Sequence, residues 1–320
     1  GDLAAGLVRA VGDPRARFDE DALRVLRAVR FAARYGFDVE EATHAALTEF
    51  APRLARIAQE RIGQELTGIF ATGRMAWALA RERAVMVCAI PELSPLVDFD
   101  QNSPYHAFDA YEHTIRVVSG AECVTAGCAG QALRWAVLLH DIAKPETYSE
   151  DVSGRGHFFG HPELGARKAA AIMRRMAIPA EIVREACALV SLHDYPMTVQ
   201  TRSLRRTILR CEELCPGRGE ALAFELLNLK RADALGKALP CRSYCSELDA
   251  VSTALRRELR AAAPLCVRDL AVNGSDVIRE RGLEPGPDVG MVLEGLLAAV
   301  VEDGIPNTRD DLMELLRFGG

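Results

Sequence analysis

Apolar residues recur at the helical period along almost the whole chain, and strand-like alternation is nearly absent. The pattern predicts helices that end near Gly36 and Gly73, with Asp38 as the N-cap of the helix that follows Gly36. Further helices are predicted over residues 108–120, 130–143, 162–176, 179–192, 201–214, 217–236, 245–263, 286–302 and 308–317. A hairpin-like loop rich in Gly, Ser and Asp is predicted at 148–161. We therefore predict an all-α fold.

Two stretches interrupt the helical pattern. Residues 91–106 are Pro-rich and unperiodic, and a weaker interruption lies near residue 240. They divide the chain into a multi-helix body at 1–95, a helical bundle at 105–240 and a helical tail at 245–320. The chain begins with Gly1 and not Met, and it runs directly into an apolar-periodic stretch. We therefore expect it to be cut from a longer protein.

Four arginines share one face of the helix predicted within FDEDALRVLRAVRFAARYGF, residues 18–37. Arg24, Arg27, Arg30 and Arg34, here called the arginine row, fall within an arc of about 120°, opposite the apolar face. Water and neighbouring carboxylates are the usual surroundings of such a face. A polyanion is the alternative, because guanidinium groups fit phosphate oxygens in pairs. The net charge of −6 restricts any nucleic-acid contact to a local patch.

Histidines are concentrated in the middle of the chain. Of seven histidines, six lie in this region: His106, His113, His140, His157, His161 and His193. Two of them are followed directly by an aspartate, at His140–Asp141 and His193–Asp194, and Asp233 is a further acidic candidate. Such spacing indicates one shared site more strongly than an isolated His–Asp pair does.

Imidazole and carboxylate groups together are the ligands of divalent metals such as Mn, Fe, Ni, Co or Zn. A site of this kind that keeps open positions suits hydrolysis, since the metal activates water and polarises a phosphoryl oxygen. Lys144, one turn after His140, can donate to a substrate phosphate. The alternative is a helical core in which the histidines only form hydrogen bonds.

Nine cysteines and the absence of a secretion signal favour reduced thiols and a cytoplasmic protein. The segments CEELC and CRSYC supply Cys211, Cys215, Cys241 and Cys245 as conceivable zinc ligands. Their spacing differs from the usual CxxC, so buried or incidental thiols are the favoured alternative. No run approaches the ~20 apolar residues that cross a membrane, and no membrane contact is predicted.

The order His113, His140–Asp141, Asp233 resembles the signature of the HD superfamily of metal-dependent phosphohydrolases. HDIAKP resembles that family's HDxGKP, with Ala143 in place of Gly. The resemblance implies a divalent metal (Mn, Ni, Co, Fe or Mg) at His113, His140, Asp141 and Asp233, catalysis by His140, Asp141 and Lys144, and a second metal or a phosphate contact at His161 and His193.

The segment VRAVGDPRARFDEDALRVLRAVRFAARYGF resembles the neck motif of the CCA-adding tRNA nucleotidyltransferase and bacterial poly(A) polymerase family, class II. ERIGQE, which holds Glu60, Arg61 and Glu65, resembles the ERxxxE motif of that family. The segment LAVNGSDVIRERGLEPGPDVGMVLEGLLAAVVEDGIPNTRDDL resembles the tail of members that carry an HD domain. The order of neck, HD domain and tail is also theirs, so the resemblance extends over almost the whole chain.

The resemblance implies that Asp21 and Arg24 read the base of CTP or ATP. Cytosine and adenine both place an amino donor beside a ring-nitrogen acceptor, which an aspartate and an arginine can pair. Uracil and guanine present the opposite pattern and would leave a buried charge unpaired. Arg27 and Arg30 are implied to meet the triphosphate or to position the nucleotide. The bracing of these arginines is assigned to Glu60, Arg61 and Glu65.

Nucleotidyl transfer requires a DxD pair of Mg²⁺-binding carboxylates, which this family carries on a palm domain that precedes the neck. No such pair on a predicted sheet precedes the neck motif, and no RRDFT-like motif occurs in the sequence. The DFD at residues 98–100 lies in the Pro-rich stretch after the neck, so Asp98 and Asp100 are interpreted as loop carboxylates. We therefore predict part of an enzyme that adds or repairs the tRNA 3′-terminal CCA from CTP and ATP. The chain alone is predicted to bind tRNA but not to transfer nucleotides. Its HD domain is predicted to hydrolyse 2′,3′-cyclic nucleotides, 2′-phosphates or RNA 3′ ends. The alternatives are a free-standing HD phosphohydrolase, a noncatalytic RNA-binding body, and A-tailing instead of CCA addition.

Overall fold

The structure is a computed structural model, and it describes residues 1–102, 108–238, 243–260, 267–302 and 304–318. The chain forms two compact units. Unit 1 contains residues 1–194 and 225–245, and unit 2 contains residues 195–224 and 246–320. The interruption predicted near residue 240, His106 and Cys241 lie outside the described residues. The division into three segments stays a prediction.

The first part of unit 1 contains seven helices and one short parallel strand pair. The helices are α1 (Asp2–Ala5), α2 (Pro14–Glu20), α3 (Leu23–Tyr35), α4 (Glu41–Phe50), α5 (Gln59–Phe70), α6 (Met75–Arg81) and α7 (Arg83–Ala89). The strands are β1 (Leu7–Val8) and β2 (Asp38–Val39). Single 3-10 segments follow α4 and α7, at Ala51–Arg56 and Pro91–Leu96.

The remainder of the described chain is also helical, which confirms the predicted all-α class. It contains α8 (Ala110–Val124), α9 (Gln131–Leu139), α10 (Lys144–Thr147), β3 (Ser149–Glu150), β4 (Gly156–His157), α11 (His161–Arg175) and α12 (Ala180–Leu192). These are followed by α13 (Thr201–Leu214), α14 (Gly219–Gly236), α15 (Tyr244–Arg260), a 3-10 turn (Val267–Asp269), α16 (Gly274–Arg281), α17 (Pro287–Glu302) and α18 (Arg309–Phe318).

The helix predicted within residues 18–37 does not include Asp21. The chain leaves the helical conformation at Asp21, which has φ −152° and ψ 103°, and α3 begins only at Leu23. The physical reason is local: the Asp21 carboxylate accepts a hydrogen bond from the Leu23 N–H at 3.0 Å. An aspartate that bonds the backbone two residues ahead favours a turn over a helix interior.

Two further helix ends can be compared with the sequence. Gly36 ends α3 as predicted, with φ +70° and its N–H on the Ala32 carbonyl. The N-cap predicted at Asp38 is wrong, because Asp38 lies in β2 and Glu40 caps α4. The Glu40 carboxylate accepts hydrogen bonds from both the N–H and the hydroxyl of Thr43, at 2.9 and 2.8 Å. A longer acidic side chain therefore replaces the shorter one as the cap.

Helix α3 buries its apolar face and packs against α5, and Arg27 and Arg30 of the arginine row lie beside this contact. Val25, Leu26 and Val29 are fully buried, and burial of each such side chain is worth about 1.5–3 kcal/mol. The two helices approach closely at Gly68 of α5, where an added Cβ would lie 2.5 Å from Cδ of Arg30. This contact therefore fixes the position of the Arg30 side chain relative to α5.

The bundle of α8, α9, α11 and α12 positions the histidines. Helix α9 packs against α8 and α12, and α12 packs against α11. His140 is the C-cap of α9 and His193 is the C-cap of α12, so both histidine–aspartate pairs lie at carboxyl ends of bundle helices. Gly120 of α8 lets α14 approach, since an added Cβ would lie 3.0 Å from the Ala232 carbonyl oxygen. That approach brings α14 beside the carboxyl ends of the bundle.

The loop predicted at 148–161 forms a hairpin, as expected. Strands β3 and β4 pair antiparallel, with Ser149 opposite His157. Within unit 2, α16, α17 and α18 share an apolar core that includes Val277, Val300 and Leu312.

Candidate functional site

Four side chains from three helical segments converge in unit 1. His113 comes from α8, His140 and Asp141 follow α9, and Asp233 comes from α14. The His113 Nε2 atom lies 3.2 Å from Oδ1 of Asp233 and 3.4 Å from Nε2 of His140. Asp141 Oδ2 lies 3.1 Å from Nε2 of His140 and 3.4 Å from Nε2 of His113. The structure therefore brings together all four residues that the sequence suggested as metal ligands.

A second group shares Asp141. His161, at the start of α11, and His193 place their Nε2 atoms 3.0 Å apart. These atoms lie 3.4 and 3.7 Å from Oδ1 of Asp141. Asp194 adds a half-exposed carboxylate 3.5 Å from both rings. The ligand atoms form two groups, one of His113, His140 and Asp233 and one of Asp141, His161 and His193. The Asp141 carboxylate lies between them, with Oδ2 toward His113 and His140 and Oδ1 toward His161 and His193.

Backbone carbonyls orient the histidine rings. The Nδ1 atoms of His140, His161 and His193 lie 3.1, 2.7 and 2.7 Å from the carbonyl oxygens of Val137, Phe158 and Val190. Because a carbonyl can only accept, each neutral ring carries its proton on Nδ1 and keeps a lone pair on Nε2. This arrangement is typical of metal-ligating histidines.

Asp141 is the clearest sign that the cluster fits a cation. Its side chain is 2% exposed, and neither carboxylate oxygen accepts a well-formed hydrogen bond from the described residues. A buried carboxylate without such partners is costly unless a positive charge compensates it. Burial raises the pKa of Asp141, but His140 and Lys144 outweigh burial and hold that pKa well below its usual value. The oxygens are therefore ionised and available to a metal.

The buried Lys144 and the half-buried Lys237 contribute positive charge to the cluster. Lys144 Nζ lies 2.7 Å from Oδ2 of Asp141 and donates to Oε1 of Gln101 at 2.8 Å. Lys237 Nζ lies 2.5 Å from Oδ2 of Asp233. Burial lowers the pKa of Lys237, but Asp233 outweighs it and the pKa is raised, so this lysine stays charged. Both lysines also line a cavity of about 460 Å³ that opens onto the cluster.

The pKa values of two of the rings are shifted in opposite directions. For His193, burial lowers the pKa to about 4, so this ring is neutral near pH 7. For His113, burial also lowers the pKa, but hydrogen bonds to Asp141 and Asp233 outweigh it and the pKa is raised. A metal bound to Nε2 would take the place of that proton, because only the unprotonated nitrogen is a ligand.

Three arginines of the row form ion pairs with neighbouring glutamates of the chain. Arg27 Nε and Arg30 Nε lie 3.2 and 2.7 Å from the two oxygens of Glu65 on α5. Glu65 is buried, whereas the Arg27 side chain is 45% exposed, so one carboxylate serves two guanidinium groups that remain accessible. Arg34, at the end of the row, is exposed and stacks beside the Tyr35 ring.

Asp21 and Arg24 do not pair with each other along a helix. Arg24 Nη1 donates to Glu20 at 2.5 Å and to the Arg17 carbonyl at 3.0 Å. Asp21 accepts from Arg61 Nη2 at 3.2 Å, in addition to its bond with the Leu23 N–H. Of the three residues assigned to brace the row, Glu65 contacts it and Arg61 contacts Asp21. The third residue, Glu60, accepts from the Gln64 side chain of its own helix.

A cavity of about 330 Å³ lies beside the arginine row. Its walls include Arg17, Arg24, Arg27, Phe18 and Phe31. Three guanidinium groups and two rings thus share one hollow, which is a composition suited to a nucleotide.

Sequence reasoning missed several residues at the metal-ligand cluster. Lys237 lies four residues after Asp233 on α14, and that helical spacing was a usable signal. Gln101 is fully buried beside Lys144. It lies in the Pro-rich stretch, where no sequence pattern indicated a role for it. Asp194 was visible as the second His–Asp pair but had no assigned role.

The thiols form no part of this cluster. Among the described residues, the groups whose ligand atoms lie close enough to share a metal contain only histidine and aspartate. Burial raises the pKa of Cys211 to about 12, and the neighbouring Cys215 adds to the effect. Cys211 is therefore a protonated core side chain, and zinc binding by the four cysteines stays unsupported.

Three family models match successive parts of the chain. The model described as "Probable RNA and SrmB- binding site of polymerase A" matches residues 36–96, and the HD domain model matches residues 110–237. The model described as "tRNA nucleotidyltransferase domain 2 putative" matches residues 254–316.

Two relatives match along 93% of the chain. One is the A-adding tRNA nucleotidyltransferase of Deinococcus radiodurans, which is 31% identical over 312 residues. The other is the CC-adding tRNA nucleotidyltransferase of Thermus thermophilus, which is 33% identical over 307 residues. The matches span 68% and 67% of those two proteins.

A solved structure agrees in fold. The CCA-adding enzyme of Bacillus stearothermophilus in complex with CTP superposes with a TM-score of 0.64 at 23% identity. The alignment covers 98% of this chain and 66% of that one. The helical fold and the histidine–aspartate cluster define a protein with an HD domain. The chain belongs to the tRNA nucleotidyltransferase and poly(A) polymerase family. It spans about two thirds of the length of these two relatives.

Among the described residues, no helix has the length and apolar character that crossing a membrane requires.

Proposed function

We propose that this chain is part of an enzyme that adds or repairs the 3′-terminal CCA of tRNA. The observation that carries the proposal is the match of 93% of the chain to relatives named A-adding and CC-adding tRNA nucleotidyltransferases. Because one relative is named for A and the other for CC, ATP and CTP are both candidate substrates. Residues 1–95 would serve as the neck that contacts the nucleotide, and residues 245–320 as a tail that binds tRNA. Such a reaction belongs in the cytoplasm.

The first three arginines of the row, Arg24, Arg27 and Arg30, form the proposed nucleotide-binding surface together with Asp21. Glu65 neutralises only one of the two charges on Arg27 and Arg30, which leaves a net positive patch for phosphate oxygens. Arg24 and Asp21 would read the base edge after exchanging their present partners. The Arg24–Glu20 pair is half-exposed, so water screens it and its loss costs little.

The test is nucleotide incorporation into tRNA by the full-length protein. Arg24→Ala is expected to lower the discrimination of CTP and ATP against UTP and GTP by about 100-fold or more. Arg34→Ala removes the same charge from the same helix and serves as the matched control. Unchanged discrimination in the Arg24 variant would overturn the base-reading role. From the chain alone we expect tRNA binding that weakens with salt, but no transfer.

We further propose that the histidine–aspartate cluster is a metal-dependent phosphohydrolase site. His113, His140 and Asp233, with Asp141 beside them, would hold one divalent ion, and Asp141, His161 and His193 a second. A divalent ion (Mn, Ni, Co, Fe or Mg) supplies an activated water and polarises the phosphoryl oxygen. The candidate substrates are 2′,3′-cyclic nucleotides, 2′-phosphates and RNA 3′ ends.

The protein's own groups prepare the site for a phosphate ester. The Nδ1–H to carbonyl bonds fix His140, His161 and His193 as ligands before any ion arrives. Lys144 lies beside Asp141 and faces the cavity, where its ammonium group can neutralise a phosphate oxygen. Lys237 keeps Asp233 ionised, so the carboxylate remains a ligand.

The test is hydrolysis of 2′,3′-cyclic AMP and 2′-AMP by the chain after dialysis against EDTA, with each candidate metal restored in turn. We expect activity only with metal, and a loss of more than about 100-fold in His140→Ala. His44→Ala is the control, because His44 is an exposed histidine outside the cluster. Metal-independent hydrolysis, or full activity in His140→Ala, would contradict the proposal.

A further inference from the structure

We propose that His157 and Phe159 form a stacking surface for a nucleobase at the mouth of the metal-ligand cavity. The inference rests on the proposed phosphate-ester hydrolysis and names the class of ester: one that carries a base, not a simple alkyl phosphate. Asp141, His193 and both of these rings line the same cavity of about 460 Å³. One ligand can therefore contact the cluster and the rings together.

Phe159 is a large apolar residue that remains exposed. Its side chain is 79% accessible, although a large apolar group gains free energy when water is removed from it. Its ring lies parallel to that of His157, with centroids 5.3 Å apart and 6° between the planes. His157 is itself held by Asp151, whose Oδ2 lies 3.0 Å from Nε2. The pair thus presents a flat, oriented face, which is the geometry on which bases stack.

The hairpin that carries the two rings is anchored from its other side. Phe158 lies between the two rings in the sequence and directly follows β4. The Phe158 ring packs against Phe99 and Tyr148, at centroid distances of 6.4 and 5.7 Å. Gly156 lies so close to the 101–102 backbone that an added Cβ would be 2.5 Å from the Gln101 carbonyl oxygen. The stacking face is therefore set before a ligand binds, which lowers the entropy cost of binding.

The spacing suits a single nucleoside phosphate. Phe159 precedes the ligand His161 by two residues, so their Cα atoms lie within about 7 Å of each other. Lys144 and Lys237 supply positive charge to the lining of the cavity, and the rings of His157 and Phe159 supply a flat face to the same lining. A simple phosphate ester would use only the first of these features, whereas a nucleotide would use both.

The kinetic test compares 2′-AMP with methyl riboside 2-phosphate, the same ester without the base. In the metal-restored chain, Phe159→Ala is expected to raise KM for 2′-AMP about tenfold. The kinetics of the base-free ester are expected to stay unchanged. Phe159→Tyr retains a ring and should restore the wild-type KM. Val152→Ala is the matched control, since Val152 is fully exposed at the turn of the same hairpin and outside the cavity lining.

A binding test separates this inference from the hydrolase proposal. The probe is 2-aminopurine riboside 2′-phosphate, whose fluorescence is quenched by stacking, titrated into EDTA-dialysed chain. We expect quenching with wild type and Val152→Ala, and about tenfold weaker binding with Phe159→Ala. Equal binding by wild type and Phe159→Ala would overturn the stacking surface, whatever the hydrolysis assay gives. Quenching without hydrolysis by the metal-restored chain would retain the surface and refute the hydrolase.

Discussion

The metal-ligand cluster and the arginine row satisfy their charges in opposite ways. In the cluster, Asp141 is buried among imidazoles that already point their Nε2 atoms at it, and its oxygens lack well-formed hydrogen bonds from the described residues. In the row, Arg24 and Arg27 are largely accessible, and each already has a carboxylate partner. The cluster thus gathers buried ligand atoms around one ionised carboxylate, whereas the row holds charges that can change partners.

The difference separates a rigid site from an adaptable one. Buried ligands fixed by backbone carbonyls suit an ion that needs defined geometry. Exposed ion pairs contribute little to stability and exchange easily, which suits a surface that accepts a nucleotide and releases it. Substitutions in the cluster should therefore act through metal occupancy, and substitutions in the row through selection of the nucleotide.

The largest expected effect concerns Asp141, which both groups of ligands share. Asp141→Asn should remove metal from both positions and lower hydrolysis more than about 100-fold. His193→Ala should remove metal only from the position formed with His161. Elemental analysis of dialysed protein gives the number of ions per chain. Equal metal content in wild type and Asp141→Asn would contradict the bridging role.

An intermediate effect is expected where the row meets its one buried partner. Glu65→Gln removes the charge that pairs with both Arg27 and Arg30 and should lower the free energy of unfolding by about 1 to 2 kcal/mol. Glu60→Gln, on the exposed side of the same helix, should change it by less than about 0.5 kcal/mol. Urea unfolding of the three proteins decides the matter. An unchanged midpoint for Glu65→Gln would mean that the row needs no brace.

Asp276 in unit 2 offers the same motif of one carboxylate between two arginines, without a proposed ligand. Hydrogen bonds from Arg309, the Asn273 N–H and Arg279 lower the pKa of Asp276 from 3.8 to about 2. Because the folded pKa is the lower one, this stabilisation is complete above pH 3.8 and is lost as the pH falls through about 2. Asp276→Asn should be less stable at pH 6 and should lose less stability on acidification. Identical pH profiles in urea unfolding would refute this.

The smallest effect on stability is expected at Arg24, whose ion pair is half-exposed. Arg24→Ala should leave the thermal midpoint of the chain unchanged within experimental error, because its pair with Glu20 is half-exposed. A clear drop in the midpoint would show that Arg24 is a structural residue. The conclusion that the row exchanges its partners easily would then be wrong.

Much of the helical fold was readable from the sequence, because apolar period and glycine stops are local signals. Gly36 ends α3 as expected, and the ordered histidines and aspartates do converge. Asp21 was misread because periodicity does not report a side chain that bonds its own backbone two residues ahead. Gln101 and the exposed ring of Phe159 could not be assigned, since their roles depend on how the hairpin packs against a distant segment.

The independence of the two sites is tested most directly by measuring transfer and hydrolysis in one preparation of the full-length protein. The rates are CTP and ATP incorporation into tRNA, and cleavage of 2′,3′-cyclic AMP with metal present. We predict that Asp141→Asn loses hydrolysis by more than about 100-fold and keeps transfer, whereas Arg24→Ala loses nucleotide selection and keeps hydrolysis. If either substitution abolished both activities in a folded protein, the two regions would form one site and the account would be wrong.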